Sequence, residues 1–107
     1  MVDTSMVNVI KRKEVERVIQ IARKTGVVRR LIIFGSAVTD DCREESDVDM
    51  CLDISCETSD KRLRRPMYDF NEACDFNCDI LFYHKLGEKL RKEIDSKGVA
   101  VYVDGQS

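Results

Sequence analysis

One pattern constrains this chain more than any other. The run Leu31-Ile32-Ile33-Phe34 ends at Gly35-Ser36, ten residues follow, and then come Asp47-Val48-Asp49; a further carboxylate, Asp79, opens the stretch Cys78-Asp79-Ile80-Leu81-Phe82-Tyr83. An apolar, β-branched run that stops at Gly-Ser reads as a buried strand passing into a helix, with Gly35 allowing backbone to come close to a ligand. The first N–H groups of a helix are free and carry partial positive charge, so Ser36, with its hydroxyl and its amide, suits an oxygen of a triphosphate.

The carboxylates follow the period of a strand. In Asp47-Val48-Asp49-Met50-Cys51-Leu52-Asp53-Ile54 the acids Asp47 and Asp49 fall on one face, and Val48, Met50, Leu52 and Ile54 on the other. Two adjacent carboxylates repel unless a cation neutralises them, and Mg²⁺ takes few protein oxygens when substrate phosphates complete its shell. If the strand that begins near Asp79 lies beside this one, three acids meet at one edge. Asp47, Asp49 and Asp79 could then hold two metals, the arrangement that activates an attacking hydroxyl and stabilises a leaving oxygen.

Gly-Ser, ten residues, Asp-x-Asp and a later strand-borne Asp together resemble the signature of the DNA-polymerase-β-type nucleotidyltransferases, and the short chain is similar to the minimal nucleotidyltransferase (MNT) branch. The closing stretch Leu90 to Tyr102 resembles that branch's last helix and strand, so the resemblance spans nearly the whole chain. It implies an α/β (α+β) fold with a single mixed sheet of about four strands and helices on one side. It implies Gly35 and Ser36 as nucleotide-binding residues, Asp47, Asp49 and Asp79 as catalytic and metal-binding residues, and two Mg²⁺ with a nucleoside triphosphate, ATP, as substrate. The branch is commonly paired with a small helical HEPN protein in toxin–antitoxin systems, which implies transfer of AMP to a tyrosine of that partner. The pattern departs in one place: relatives often carry Arg and Gly soon after Gly-Ser, where this chain has Ala37-Val38-Thr39-Asp40.

Composition narrows the alternatives. At 107 residues the chain is expected to form one domain, 1–107, without room for a separate substrate-binding domain, so substrate selection is expected to come from elsewhere. With 43% apolar and 36% charged residues it is globular in composition. Eighteen basic residues are set against 20 acids, a net charge of −2, so general nucleic-acid binding is not expected. No stretch is long enough to span a membrane and the N-terminus lacks signal-peptide order, which points to the cytoplasm. Five cysteines without a C-x-x-C pair suggest neither a disulfide framework nor a zinc site; Cys51 and Cys78 read as small core residues.

Residues 1–10 read as an irregular segment. Val15, Val18, Ile19 and Ala22 form one helical stripe closed by Gly26, and the charges Lys11, Arg12, Lys13, Glu14, Glu16 and Arg17 form its solvated face. A second helix follows Ser59, with Leu63, Met67, Phe70 and Cys74 on one stripe; Pro66 means that it begins near Arg65 or bends there. The cluster Lys61, Arg62, Arg64 and Arg65 reads as an exposed charged turn or as a patch for triphosphate or a partner. Leu86, Leu90 and Ile94 mark a last helix, and Val99 to Val103 a last strand. His84, alone at a strand end, reads as a surface residue. Three functional readings stand: a working nucleotidyltransferase; a catalytically weak or inactive nucleotide-binding or antitoxin interaction module; and an edge strand whose acids face solvent.

Overall fold

The computed structural model describes residues 4–105. Among the described residues the order of helices and strands is α1 (Arg12–Thr25), β1 (Val28–Phe34), β2 (Val48–Ile54), α2 (Asp60–Ala73), β3 (Cys78–Phe82), α3 (Glu88–Lys97) and β4 (Val99–Val103). The strands form one mixed sheet in the order β3-β2-β1-β4, with β2 and β3 parallel and the other neighbours antiparallel. The parallel pair needs a crossover, and α2 supplies it.

β1 is the central strand that the apolar run demanded, and alternation splits its side chains between two cores. Leu31 and Ile33 join Met50, Leu52 and Val101 under α1 and α2, where Val15, Val18, Ile19, Ala22 and Phe70 close the larger core. Burial of a side chain such as Phe70 contributes roughly 1.5–3 kcal/mol. Ile32 points the other way, to Cys51 and to Ile94 of α3, with Phe34, Leu81, Tyr83 and Leu86 around them. The expectation of helices on one side therefore holds for α1 and α2 and not for α3. A strand that is apolar on both faces needs cover on both, and α3 covers part of the second.

Local signals set the helix ends. Gly26 closes α1 in the left-handed conformation (φ 69°), and the Ser59 hydroxyl accepts from the Arg62 amide to cap α2. α2 begins at Asp60 and runs through Pro66, which is buried, so the proline neither starts the helix nor stops it. The N-terminal segment is less irregular than its sequence suggests. Val9–Lys11 form a single 3-10 turn capped by Asn8, and Val7 is buried in the larger core; residues 1–3 lie outside the described residues. Lys11, expected on the solvated face, is buried as well.

Candidate active site

All five sequence-selected residues come to one end of the sheet, because β1 finishes there while β2 and β3 begin there. Phe34 pairs with Asp49 across β1 and β2, and Asp49 pairs with Asp79 across β2 and β3. The parallel register thus places two carboxylates on neighbouring strands at the same level. By alternation they lie on the face of α3, as do Cys51 and Leu81 two positions on. The Val48 amide donates to the Asn77 carbonyl at 3.0 Å, which ties the start of β2 to the start of β3. Asp47, one residue before β2, is exposed, as is Asp79, while Asp49 is partly buried.

The three acids have no ion-pair partner among the described residues. Among the described residues none of them forms a salt bridge, whereas Asp53, at the far end of β2, is held by Arg29 at 3.4 Å and Arg30 at 3.3 Å. Burial, and then the nearby charges of Asp79 and Asp47, push the Asp49 carboxyl above its ordinary value of 3.8. Behind it the Cys51 thiol is pushed up to about 11, chiefly by burial, so it stays neutral and packs as a small apolar group.

The contact with Asp49 explains why the first residue of the turn after β1 is Gly35. Its φ is +71°, and a Cβ built there would overlap the Asp49 carboxylate, lying 3.1 Å from Cγ. The turn and the acid are therefore packed against each other through the missing side chain. The expected helix after Gly-Ser is a single 3-10 turn, Gly35–Val38. Its last bond runs from the Thr39 amide to the Ser36 carbonyl at 3.0 Å, and it goes no further because the next carbonyl, that of Ala37, accepts from the Asn8 amide at 2.7 Å. Beyond it a mostly apolar cavity of about 450 Å³ runs between this turn and α3, lined by Phe34, Val38, Leu90 and Ile94, with Thr39, Glu93 and Lys97 at its edges.

Other sequence candidates lie elsewhere. The Arg62–Arg65 cluster occupies the first turns of α2, at the end of the sheet where β2 finishes, and lines a groove between α1 and α2; Arg65 pairs with Asp69 at 3.1 Å. His84 is exposed in a short turn after β3. Residues that sequence reasoning missed are Asn8 and Lys11, which bond the segment joining Ser36 to Asp47. Nothing in their local pattern marks them, since the contacts span about thirty residues of chain.

Among the described residues no three His, Cys, Asp or Glu side chains converge into a ready-made metal site. The donor set nevertheless fits a hard divalent cation whose shell is completed by substrate phosphate. It offers carboxylates that form no salt bridge among the described residues, one of them pushed toward its neutral form by burial and then by the neighbouring acids, beside Gly35, where a Cβ cannot be placed.

Comparison with known proteins agrees with this geometry. Residues 16–106 match the family described as polymerase beta, nucleotidyltransferase. The chain is 33% identical over 95 residues, 89% of its length and 97% of the relative's, to the Methanocaldococcus jannaschii protein named "Putative protein adenylyltransferase MJ0435". Among solved structures it is similar to a chain of a toxin–antitoxin crystallised with AMP-PNP (TM-score 0.68, 15% identity, 85% of this chain and 74% of that one). It is also similar to a chain of the tri-AMPylated Shewanella oneidensis HEPN toxin in complex with MNT antitoxin (TM-score 0.63, 15% identity, 88% and 72%). The fold agrees with these neighbours, and the family match covers most of the sequence. This chain belongs to the polymerase β nucleotidyltransferase family and is a transferase.

Proposed function

We propose that the protein is a Mg²⁺-dependent adenylyltransferase that moves AMP from ATP to a hydroxyl on a partner protein. The observation that carries this reading is the level pairing of Asp49 with Asp79, with Asp49 packed against Gly35, where a Cβ has no room. The relative named as a protein adenylyltransferase supports AMP and a protein acceptor. The neighbour that contains a tri-AMPylated HEPN toxin supports a helical HEPN-type partner as that acceptor.

In this reading Gly35 and Ser36 receive the β- and γ-phosphates, Asp47 and Asp49 would hold the nucleotide's Mg²⁺, and Asp79 would share a second ion with them. When bound, the ions neutralise phosphate charge and lower the pKa of the acceptor hydroxyl. Asp79, exposed at the start of β3, orients that hydroxyl and takes its proton. The hydroxyl oxygen bonds to the α-phosphorus, the bond from that phosphorus to the bridging oxygen breaks, and pyrophosphate leaves with the electron pair. Since the chain forms no covalent bond to the substrate here, positioning supplies most of what the protein contributes. The setting is the cytoplasm and the functional unit is the single domain 1–107.

A second reading, a nucleotide-binding or antitoxin module without turnover, is favoured by Asp40 and Asp41, which add exposed negative charge just after the Gly35–Val38 turn. Incubating the purified protein with Mg–ATP and a HEPN-type partner separates the two by intact mass. Whole AMP increments on the partner are the expected result; an unchanged partner mass, with ATP bound, would support the second reading.

A further inference from the structure

The charged run at the start of α1 contains one residue that does not face solvent. Lys11 is 6% exposed, and its ammonium donates to the Glu44 carbonyl at 2.7 Å. Withdrawing an ammonium from water is costly, and a methionine of similar shape would fill the same space without that cost. What the lysine adds is a long-reach donor to one carbonyl. Glu44 lies three residues before Asp47, in the irregular segment 39–47 that joins the Gly35–Val38 turn to β2.

The same N-terminal stretch holds the other end of that segment. The Asn8 amide donates to Ala37 at 2.7 Å and its side-chain Nδ2 to Thr39 at 2.9 Å. The stretch itself is anchored, because Val7 is buried and the Arg12 guanidinium donates to the Val7 carbonyl at 2.8 Å. Inside the segment the bonds are short-range: the Asp41 amide to the Thr39 hydroxyl, the Arg43 amide to the Ser46 hydroxyl, and the Ser46 amide to the Arg43 carbonyl. Such local turns shape the segment, and its first half is further held by the buried Cys42 side chain. Among the described residues, Lys11 is the only side chain from outside the segment that hydrogen-bonds to its second half.

We propose that Lys11 is a positioning residue for nucleotidyl transfer: through the Glu44 carbonyl it fixes the stretch 43–47, and so sets where Asp47 stands relative to Asp49 and the Gly35 turn. This rests on the reading of Asp47 as a metal-binding carboxylate. Groups that orient a ligand in this indirect way typically change metal affinity or activity by roughly 10–100-fold when removed.

The test compares wild type with Lys11→Met and Lys11→Arg by three measurements. These are hydrogen exchange of residues 40–47 without metal or nucleotide, melting temperature, and the Mg²⁺ concentration that gives half of the ATP-induced thermal shift. Lys11→Met is expected to speed exchange in 43–47 and to raise the half-shift Mg²⁺ concentration roughly 10–100-fold, with Lys11→Arg restoring most of both. Unchanged exchange and unchanged Mg²⁺ requirement in Lys11→Met would overturn the proposal. So would a lower melting temperature with the Mg²⁺ requirement intact, which marks a merely structural lysine. If Lys11→Met does not fold, Lys11→Leu, apolar and likewise without a donor, takes its place in the same comparison. A wild type that shows no Mg–ATP response overturns the functional reading itself, and loop exchange then separates that failure from failure of the Lys11 contact.

Discussion

Asp49 is the residue on which local structure and chemistry meet. It sits between Phe34 and Asp79 in the sheet, and burial and neighbouring acids make it reluctant to ionise. A carboxyl with a folded-state pKa above its unfolded value binds a proton more tightly when folded. Without metal, stability therefore falls as the pH rises through the window from the ordinary aspartate value to the raised one. Asp49→Asn removes that loss, so at pH 7 in EDTA it should melt above wild type while transfer falls by roughly 10²–10³-fold. A metal-free Asp49→Asn protein that melts well below wild type would show that the acid is structural. Gly35→Ala tests the other side of the same contact. It forces a side chain into the left-handed region, at about 1–2 kcal/mol, and into the Asp49 carboxylate. Melting should fall and the thermal response to Mg–ATP should be lost; a variant that keeps that response would remove the close approach from the account.

At the scale of elements, the sequence carried most of what positions the site. Period-two alternation in residues 47–54 and 78–83 put the acids on one face, and the structure places Cys51 and Leu81 with them and Met50 and Ile80 opposite. The apolar run of β1 marked a central strand, but only the structure shows that its second face is covered by α3. That helix has a weak stripe: Ile94 is buried, whereas Leu90 is 38% exposed. The length of the turn after Gly35 was also illegible, since it is decided by Asn8, nearly thirty residues upstream. Lys11 sits among charges that usually face solvent, and the carbonyl that draws it inward is 33 residues away. Gly98 shows how closely α3 sits. A Cβ there would lie 2.6 Å from Ile32 Cγ2 and 2.6 Å from the Ile94 carbonyl. Gly98→Ala should therefore cost about 1–3 kcal/mol in denaturant unfolding, and an unchanged midpoint would mean that α3 rides loosely on the sheet.

For the molecule as a whole, the contrast is between two ends of one sheet. Asp53 is held by Arg29 and Arg30 at one end, while at the other Asp47, Asp49 and Asp79 form no salt bridge among the described residues. Their mutual repulsion is the physical reason to expect a metal–nucleotide complex there, and the net charge of −2 gives no general attraction for nucleic acid. Among the described residues no helix is long and apolar enough to cross a membrane. The measurement that bears most directly on the central claim is transfer of α-labelled ATP, with Mg²⁺, onto the proteins of the cell that carries this gene, comparing wild type with Asp47→Asn. The account predicts a labelled protein band that depends on Mg²⁺ and disappears with Asp47→Asn. Label that persists undiminished in Asp47→Asn, or no label from a wild type that binds Mg–ATP, would contradict it.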